Sequence, residues 1–122
     1  MAEAGAKPED VGHVNAHGTS TPLNDAAEAA VVRDLFGGAP AVTSAKGVVG
    51  HTLGAAGAIE AALTVLAIEH AMVPPTANHD EPDPKIDIDV VAGAPRARRI
   101  EVAVSHSFGF GGQNAVLVFT GA

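Results

Sequence analysis

The stretch Lys46–Glu69, KGVVGHTLGAAGAIEAALTVLAIE, limits the possible folds more than any other part of the chain. It begins polar and glycine-rich, with Lys46 and His51 beside small residues, and then becomes apolar on every side. Leu53, Ile59, Leu63, Val65, Leu66 and Ile68 cannot share one stripe at helical spacing. The pattern therefore predicts a helix over about 53–70, buried in the middle of a layered fold rather than lying on its surface. One carboxylate, Glu60, interrupts it about two turns after His51. A lone acid in a buried helix is costly without a partner, and Lys46 is the nearest candidate.

A length of 122 residues gives room for one domain with a modest core. Hydrophobic residues make up 47% of the chain and mean hydropathy is +0.22, which argues against disorder throughout. The net charge of −7 argues against a nucleic-acid backbone as partner, because phosphate binding needs a basic face. Acids cluster at Asp80, Glu81, Asp83, Asp87 and Asp89, with Arg96, Arg98 and Arg99 following; both runs read as solvated loop. There is no cysteine, which excludes disulfides, thiolate metal sites and a cysteine nucleophile supplied by this chain. Met1–Glu9 has no apolar centre of the kind a signal peptide needs. The run from Leu53 to Ile68 is short for a membrane span and contains Glu60, so a soluble, cytoplasmic protein is the expectation.

Residues 1–10 read as a start segment or linker remnant, and 11–122 as the domain. Val11–Ala16 suggests a short strand, followed by a hydroxyl-rich loop from His17 to Asp25. Asp25 and Glu28 form an Asp-x-x-Glu helix start, which assigns both to capping, and Gly37-Gly38 stops that helix. Ala41–Ala45 is a second strand ending at Lys46; the buried helix follows and Pro74-Pro75 ends it. Alternation of Ile86, Ile88 and Val90 with Asp87 and Asp89 predicts a short exposed edge strand. Ile100–Ser105 and Ala115–Thr120 are the clearest strands, joined as a hairpin through a longer than minimal loop, HSFGFGGQN. The order strand, helix, strand, helix, strand, strand indicates an α/β layered domain with a mixed sheet and one central buried helix.

Three glycine-flanked stretches each follow a predicted strand: His17-Gly-Thr-Ser-Thr, Lys46-Gly-Val-Val-Gly-His51 and Ser107-Phe-Gly-Phe-Gly-Gly112. Ligands gather at strand carboxyl ends in open α/β sheets, so three such loops at one edge would make a site. The glycines allow close backbone approach, and the histidines offer donors near physiological pH. Other chemistries fit poorly. His13 and His17 are four apart, but in a strand-to-loop context they do not present one metal-binding face. No Gly-Lys-Ser/Thr follows GVVG or GFGG, and Ser105 and Ser107 lack the Gly-x-Ser-x-Gly elbow.

Taken together, NAHGTSTPLND, SAKGVVGHTLGAAGAIEA and SHSFGFGGQN resemble the C-terminal part of elongating β-ketoacyl-acyl carrier protein synthases, the thiolase-fold condensing enzymes of fatty-acid and polyketide synthesis. The resemblance runs from about Val11 to Thr120 with the motifs in the family's order, and VPPTANHDEPDP resembles the family's VPPT-N segment. It implies a thiolase-like layered fold of which only the C-terminal half is present. By resemblance, His17 and His51 are the two active-site histidines that hydrogen-bond the malonyl thioester oxygen, Lys46 is the active-site lysine, and Glu60 is the acid beside it. Thr19 and Thr21 correspond to hydroxyls that bind the phosphopantetheine arm. Phe110, flanked by Gly109 and Gly111, corresponds to the gating phenylalanine whose N–H completes an oxyanion hole, with Phe108 packed nearby.

The family's nucleophilic cysteine lies in an earlier half that has no counterpart here, and His106 stands where asparagine is common. Two readings follow from the resemblance. In the first, the chain supplies its histidines, lysine, threonines and gate to decarboxylative Claisen condensation of malonyl-acyl carrier protein with an acyl thioester. The cysteine then comes from another segment, no metal or organic cofactor is needed, and the complete enzyme is a dimer. In the second, the chain is a non-catalytic, chain-length-factor-like partner or remnant that binds a ketosynthase or the carrier protein. Either reading leaves one flank of the central helix uncovered, as an exposed apolar patch.

Overall fold

The computed structural model describes residues 1–121. At its centre is a four-stranded mixed sheet in the order β2-β1-β5-β6, formed by β1 (Val11–Asn15), β2 (Ala41–Thr43), β5 (Val102–Gly109) and β6 (Gln113–Thr120). Strand β1 runs parallel to both β2 and β5, in the registers Asn15↔Thr43 and Asn15↔Ser105. The β5–β6 pair is antiparallel, in a register from Val102↔Thr120 to Gly109↔Gln113. A two-stranded antiparallel pair, β3 (Met72–Val73) with β4 (Arg96–Ala97), lies outside this sheet and was not anticipated.

Alternation along β1 decides what each face meets. Val14 and Ala16 join Val32, Phe36, Val42, Val102 and Val104 in one core cluster, against helix α1 (Pro22–Phe36). The opposite face packs Ala41 and Ala103 with Ala67, Val73, Val91 and Ile100, against helix α3 (Ala56–Glu69). The sheet is thus the middle of three layers. Asn15 belongs to the second face, where its Nδ2 donates to the Glu60 carbonyl at 3.0 Å and to Thr64 Oγ1 at 3.1 Å. These bonds fix β1 against the middle of α3.

Helix α1 starts three residues before Asp25, with Thr21 as N-cap and Pro22 in the first turn, and Gly37 closes it at φ 64°. Proline suits this place because its missing N–H would have no intrahelical partner. The hairpin strands are longer than expected: Ser107–Gly109 pair with Gln113–Ala115, and only Phe110–Gly112 form the turn. Residues 86–90 form no strand. Instead Asp89 and Val91 flank β2 through two hydrogen bonds to Val42, Val42 N–H to Asp89 O at 2.8 Å and Val91 N–H to Val42 O at 2.9 Å. The first ten residues make two short 3-10 turns, Ala2–Ala4 and Pro8–Asp10, and Met1 and Ala6 pack on the α1-side cluster.

The stretch 46–69 corrects the single-helix expectation. It comprises a short helix α2 (Lys46–Val49), a break at Gly50 and His51, a 3-10 turn (Leu53–Ala55), and α3. Nor is α3 buried all round. Ala56, Glu60, Thr64 and Ala67 form its buried stripe, while Val65 and Leu66 are each 46% exposed and Leu53 is 76% exposed. The extra apolar residues face outward because none of the described residues covers that side. The uncovered flank is therefore present.

Candidate functional site

Strands β1, β2 and β5 run parallel, so the loops after them leave from the same sheet edge. The histidines converge there: the His17 and His51 rings lie edge to face with centroids 5.5 Å apart. His17 is buried at the end of β1, and His51 is exposed in the break between α2 and the 3-10 turn. Leu53, at φ 53°, donates its N–H to His51 Nδ1 at 3.3 Å. An acceptor at Nδ1 puts the proton of the neutral ring on Nε2, leaving that nitrogen as the donor.

Lys46 and Glu60 lie behind this pair. Both side chains are almost fully buried, and the ammonium donates to Glu60 Oε1. Burial and the Lys46 cation together push the His17 imidazole below the usual histidine range, outweighing the pull of Glu28 and Glu60. His17 therefore stands neutral beside the buried Lys46–Glu60 pair.

Glu28, read from sequence as a helix cap, is instead a buried bridge between elements. Its Oε1 accepts the His17 N–H at 2.8 Å and its Oε2 accepts the Gly18 N–H at 2.8 Å. His106 Nδ1 donates to the same Oε1 at 2.9 Å. Burial alone would push the Glu28 carboxyl up, but these three donors hold it below the ordinary carboxylate range. Gly18 needs to be glycine: its φ is 38°, and a Cβ there would sit 2.6 Å from Ser44 Cβ. Ser44 Oγ donates to the Gly18 carbonyl at 2.9 Å, so the β1 and β2 loops touch directly.

Thr19 and Thr21 hydroxyls lie 2.9 Å apart and bond to each other in the exposed loop after β1, where Thr19 lines the neighbouring cleft. Phe108, on β5, tilts against His17 with ring centroids 5.9 Å apart. Phe110 is instead fully exposed at the hairpin tip, between Gly109 and the left-handed Gly111. The structure thus brings His17, His51, Lys46, Glu60, Thr19 and Phe108 to one place, while the Phe110 ring stands away from protein. A cleft of about 550 Å³, lined by Gly18, Thr19, Glu28, Lys46, His51 and the 76–90 segment, opens beside them. Asn15, Glu28 and Thr64 were given no part in the site from sequence, and His106 was marked only as standing where asparagine is common. Their one visible signal is polarity at strand or helix positions that burial should have made apolar.

This arrangement has relatives. Residues 1–80 match the family model for the C-terminal domain of beta-ketoacyl synthases. The chain belongs to that family. This ketosynthase C-terminal domain is 48% identical over 122 residues to 3-oxoacyl-[acyl-carrier-protein] synthase 2 of Synechocystis sp., covering 98% of this chain and 29% of the relative. It is 45% identical to Nodulation protein E of Rhizobium meliloti, over 98% of this chain and 30% of that protein. Among solved structures, it matches a beta-ketoacyl synthase from Burkholderia phymatum at 39% identity and TM-score 0.94, covering 98% of this chain and 29% of that one. It matches one chain from a structure of a type II PKS acyl-carrier protein in complex with its ketosynthase, at 34% identity and TM-score 0.94, over 99% of this chain and 30% of that one. The layered fold is therefore thiolase-like, and the chain spans about 30% of the length of the relatives it matches.

Proposed function

We propose that this domain supplies the decarboxylation and enolate-binding side of a β-ketoacyl-acyl carrier protein synthase site. The reaction is condensation of a malonyl thioester on a carrier protein with an acyl thioester. The observation that carries this reading is the His17–His51 pair, two imidazoles 5.5 Å apart at the carboxyl edge of one sheet. A thioester oxygen between them would receive two N–H bonds. When the malonyl C–C bond breaks and carbon dioxide leaves, the electron pair moves into an enolate, and the charge develops on that oxygen. Donors fixed there stabilise the transition state more than the ground state. The enolate carbon then attacks the acyl carbonyl, and a thiolate leaves from a cysteine that this chain does not contain.

The remaining residues have roles in the same reading. Lys46 adds to burial in keeping His17 neutral, and Glu60 holds the Lys46 ammonium in place. Thr19 and Thr21 would bind the phosphopantetheine arm brought by the carrier protein, and in this reading the reaction needs no resident metal or organic cofactor. Phe110, with Gly109 and Gly111, would form a mobile gate that places its backbone N–H on the acyl oxygen, and its exposure fits a ring with room to swing. The complementary, cysteine-bearing segment would cover the outward face of α3, within a dimer in the complete enzyme.

The test mixes this chain with the complementary ketosynthase segment and follows carbon dioxide release from malonyl-carrier protein. His17→Ala and His51→Ala are each expected to slow release by about 10²–10³-fold, the usual loss for one oxyanion donor. Rates unchanged in both variants would remove the reading. Likeness to a ketosynthase/chain length factor structure, at 38% identity and TM-score 0.93, supports the competing role of a non-catalytic partner. A mixture that binds carrier protein but releases no carbon dioxide would favour that role.

A further inference from the structure

We propose that His106 is a positioning residue for His17, acting through Glu28. This deepens the reading above and rests on it. His106 is only 2% exposed, and it lies on the α1-facing side of β5 with Val102 and Val104. Its Nδ1 meets Glu28 Oε1 at 2.9 Å, and that same oxygen holds the His17 N–H at 2.8 Å. Glu28 Oε2 holds the next amide, Gly18. One carboxylate therefore joins three elements: α1, which carries it, the loop after β1, and β5.

The geometry shows what His106 adds. A glutamate projecting from α1 has rotatable bonds of its own, and two amides on one short loop do not stop loop and carboxylate from moving together. Asn24 Nδ2 adds a long contact to Oε2 at 3.4 Å, but it sits on α1 with the glutamate. The donor from outside both helix and loop comes from β5, which is hydrogen-bonded to β1 in the sheet and moves with it. His106 thus fixes the carboxylate relative to the sheet, and the carboxylate fixes the backbone of His17. The His106 ring also lies against Phe108, centroids 5.2 Å apart, and Phe108 lies against the His17 ring at 5.9 Å. The hydrogen-bonded route and the packed route both run from residue 106 to residue 17. Displacing a donor by a fraction of its hydrogen-bond length costs rate while leaving substrate binding nearly intact.

The chemistry selects the diagnostic variant. Asparagine carries its amide nitrogen the same number of bonds from Cβ as histidine Nδ1, so His106→Asn retains a donor to Glu28 but loses the ring on Phe108. His106→Leu keeps bulk and loses the donor. The experiment records the backbone amide resonances of His17 and Gly18 in the isotope-labelled chain, complexed with the complementary segment, alongside kcat and KM for malonyl-carrier protein decarboxylation. In His106→Leu, both amides are expected to move upfield as the carboxylate contact loosens, with kcat falling about 10- to 100-fold and KM little changed. His106→Asn is expected to keep the amide positions and most of kcat. Should His106→Leu not fold, His106→Met, which also keeps bulk and carries no donor, serves in its place. Unmoved amides in His106→Leu would overturn the proposal, as would an asparagine variant as impaired as leucine. If the wild-type complex releases no carbon dioxide, the functional reading fails, and the amide comparison still decides whether His106 holds the loop.

Discussion

Lys46 and Glu60 show what a single buried contact demands. Each is the counter-charge of the other, with side-chain exposures of 5% and 1%. Glu60→Gln keeps the shape but leaves an ammonium buried without compensation, which is expected to cost about 3–5 kcal/mol of stability. Lys46→Met/Glu60→Leu removes both charges together and is expected to recover most of that loss. Urea unfolding midpoints of the wild type and these two variants check it; a Glu60→Gln loss below about 1 kcal/mol would mean that water reaches the pair. This contact was legible in the sequence because an acid inside an apolar helix has few candidate partners. Glu28 was not. Three residues after Asp25 it fits a local capping pattern, whereas its three short hydrogen bonds reach partners 10, 11 and 78 positions away, beside one long local contact from Asn24 at 3.4 Å. Local spacing carries no trace of a bond that only the fold closes.

At the level of elements, the order of the four sheet strands and the two long helices was readable, and so was the gathering of three loops at one sheet edge. Alternation in β1, β5 and β6 and the stop at Gly37-Gly38 are local signals that packing reinforces. The ends were misread where tertiary pairing outweighed propensity. Ser107–Gly109 look like loop because glycine weakens a strand, yet the ladder to β6 carries them as strand. Composition likewise could not say which side of α3 lacks cover. Gly47, in α2, illustrates an element held by close approach: a Cβ there would lie 2.5 Å from the Ala77 carbonyl oxygen. Asn78 Nδ2 donates to the Gly47 carbonyl at 3.1 Å, so the 74–78 segment sits directly on α2. Gly47→Ala is expected to push these elements apart and destabilise by about 1–3 kcal/mol. A thermal melt measures it, and a Tm equal to wild type would show that the two backbones separate freely.

For the whole molecule, acid sensitivity should come in two stages. Burial pushes His13 and His17 below their ordinary value of 6.5, so the unfolded chain binds more protons than the folded one as pH drops past 6.5. Stability contributed by their neutral forms is full above that value and declines as pH falls toward the folded pKa values. Glu28 is held below its ordinary 4.5, so a second decline begins near 4.5 and continues downward. Unfolding midpoints measured from pH 8 to pH 3 are expected to trace both stages. His13→Asn, which keeps a donor toward the Ala41 carbonyl, should shrink the first stage alone. A first stage of unchanged size would assign the loss elsewhere.

Strand β6 brings a practical consequence at this scale. It is the last strand of the sheet, mostly exposed, and its sequence QNAVLVFT contains neither charge nor proline to discourage a newcomer. Such an edge is an open template, and AVLVFT has the composition of segments that stack into fibres. Preparing the chain by itself therefore becomes a contest between storage time and slow polymerisation, won by dilution, cold or early company rather than by tighter folding.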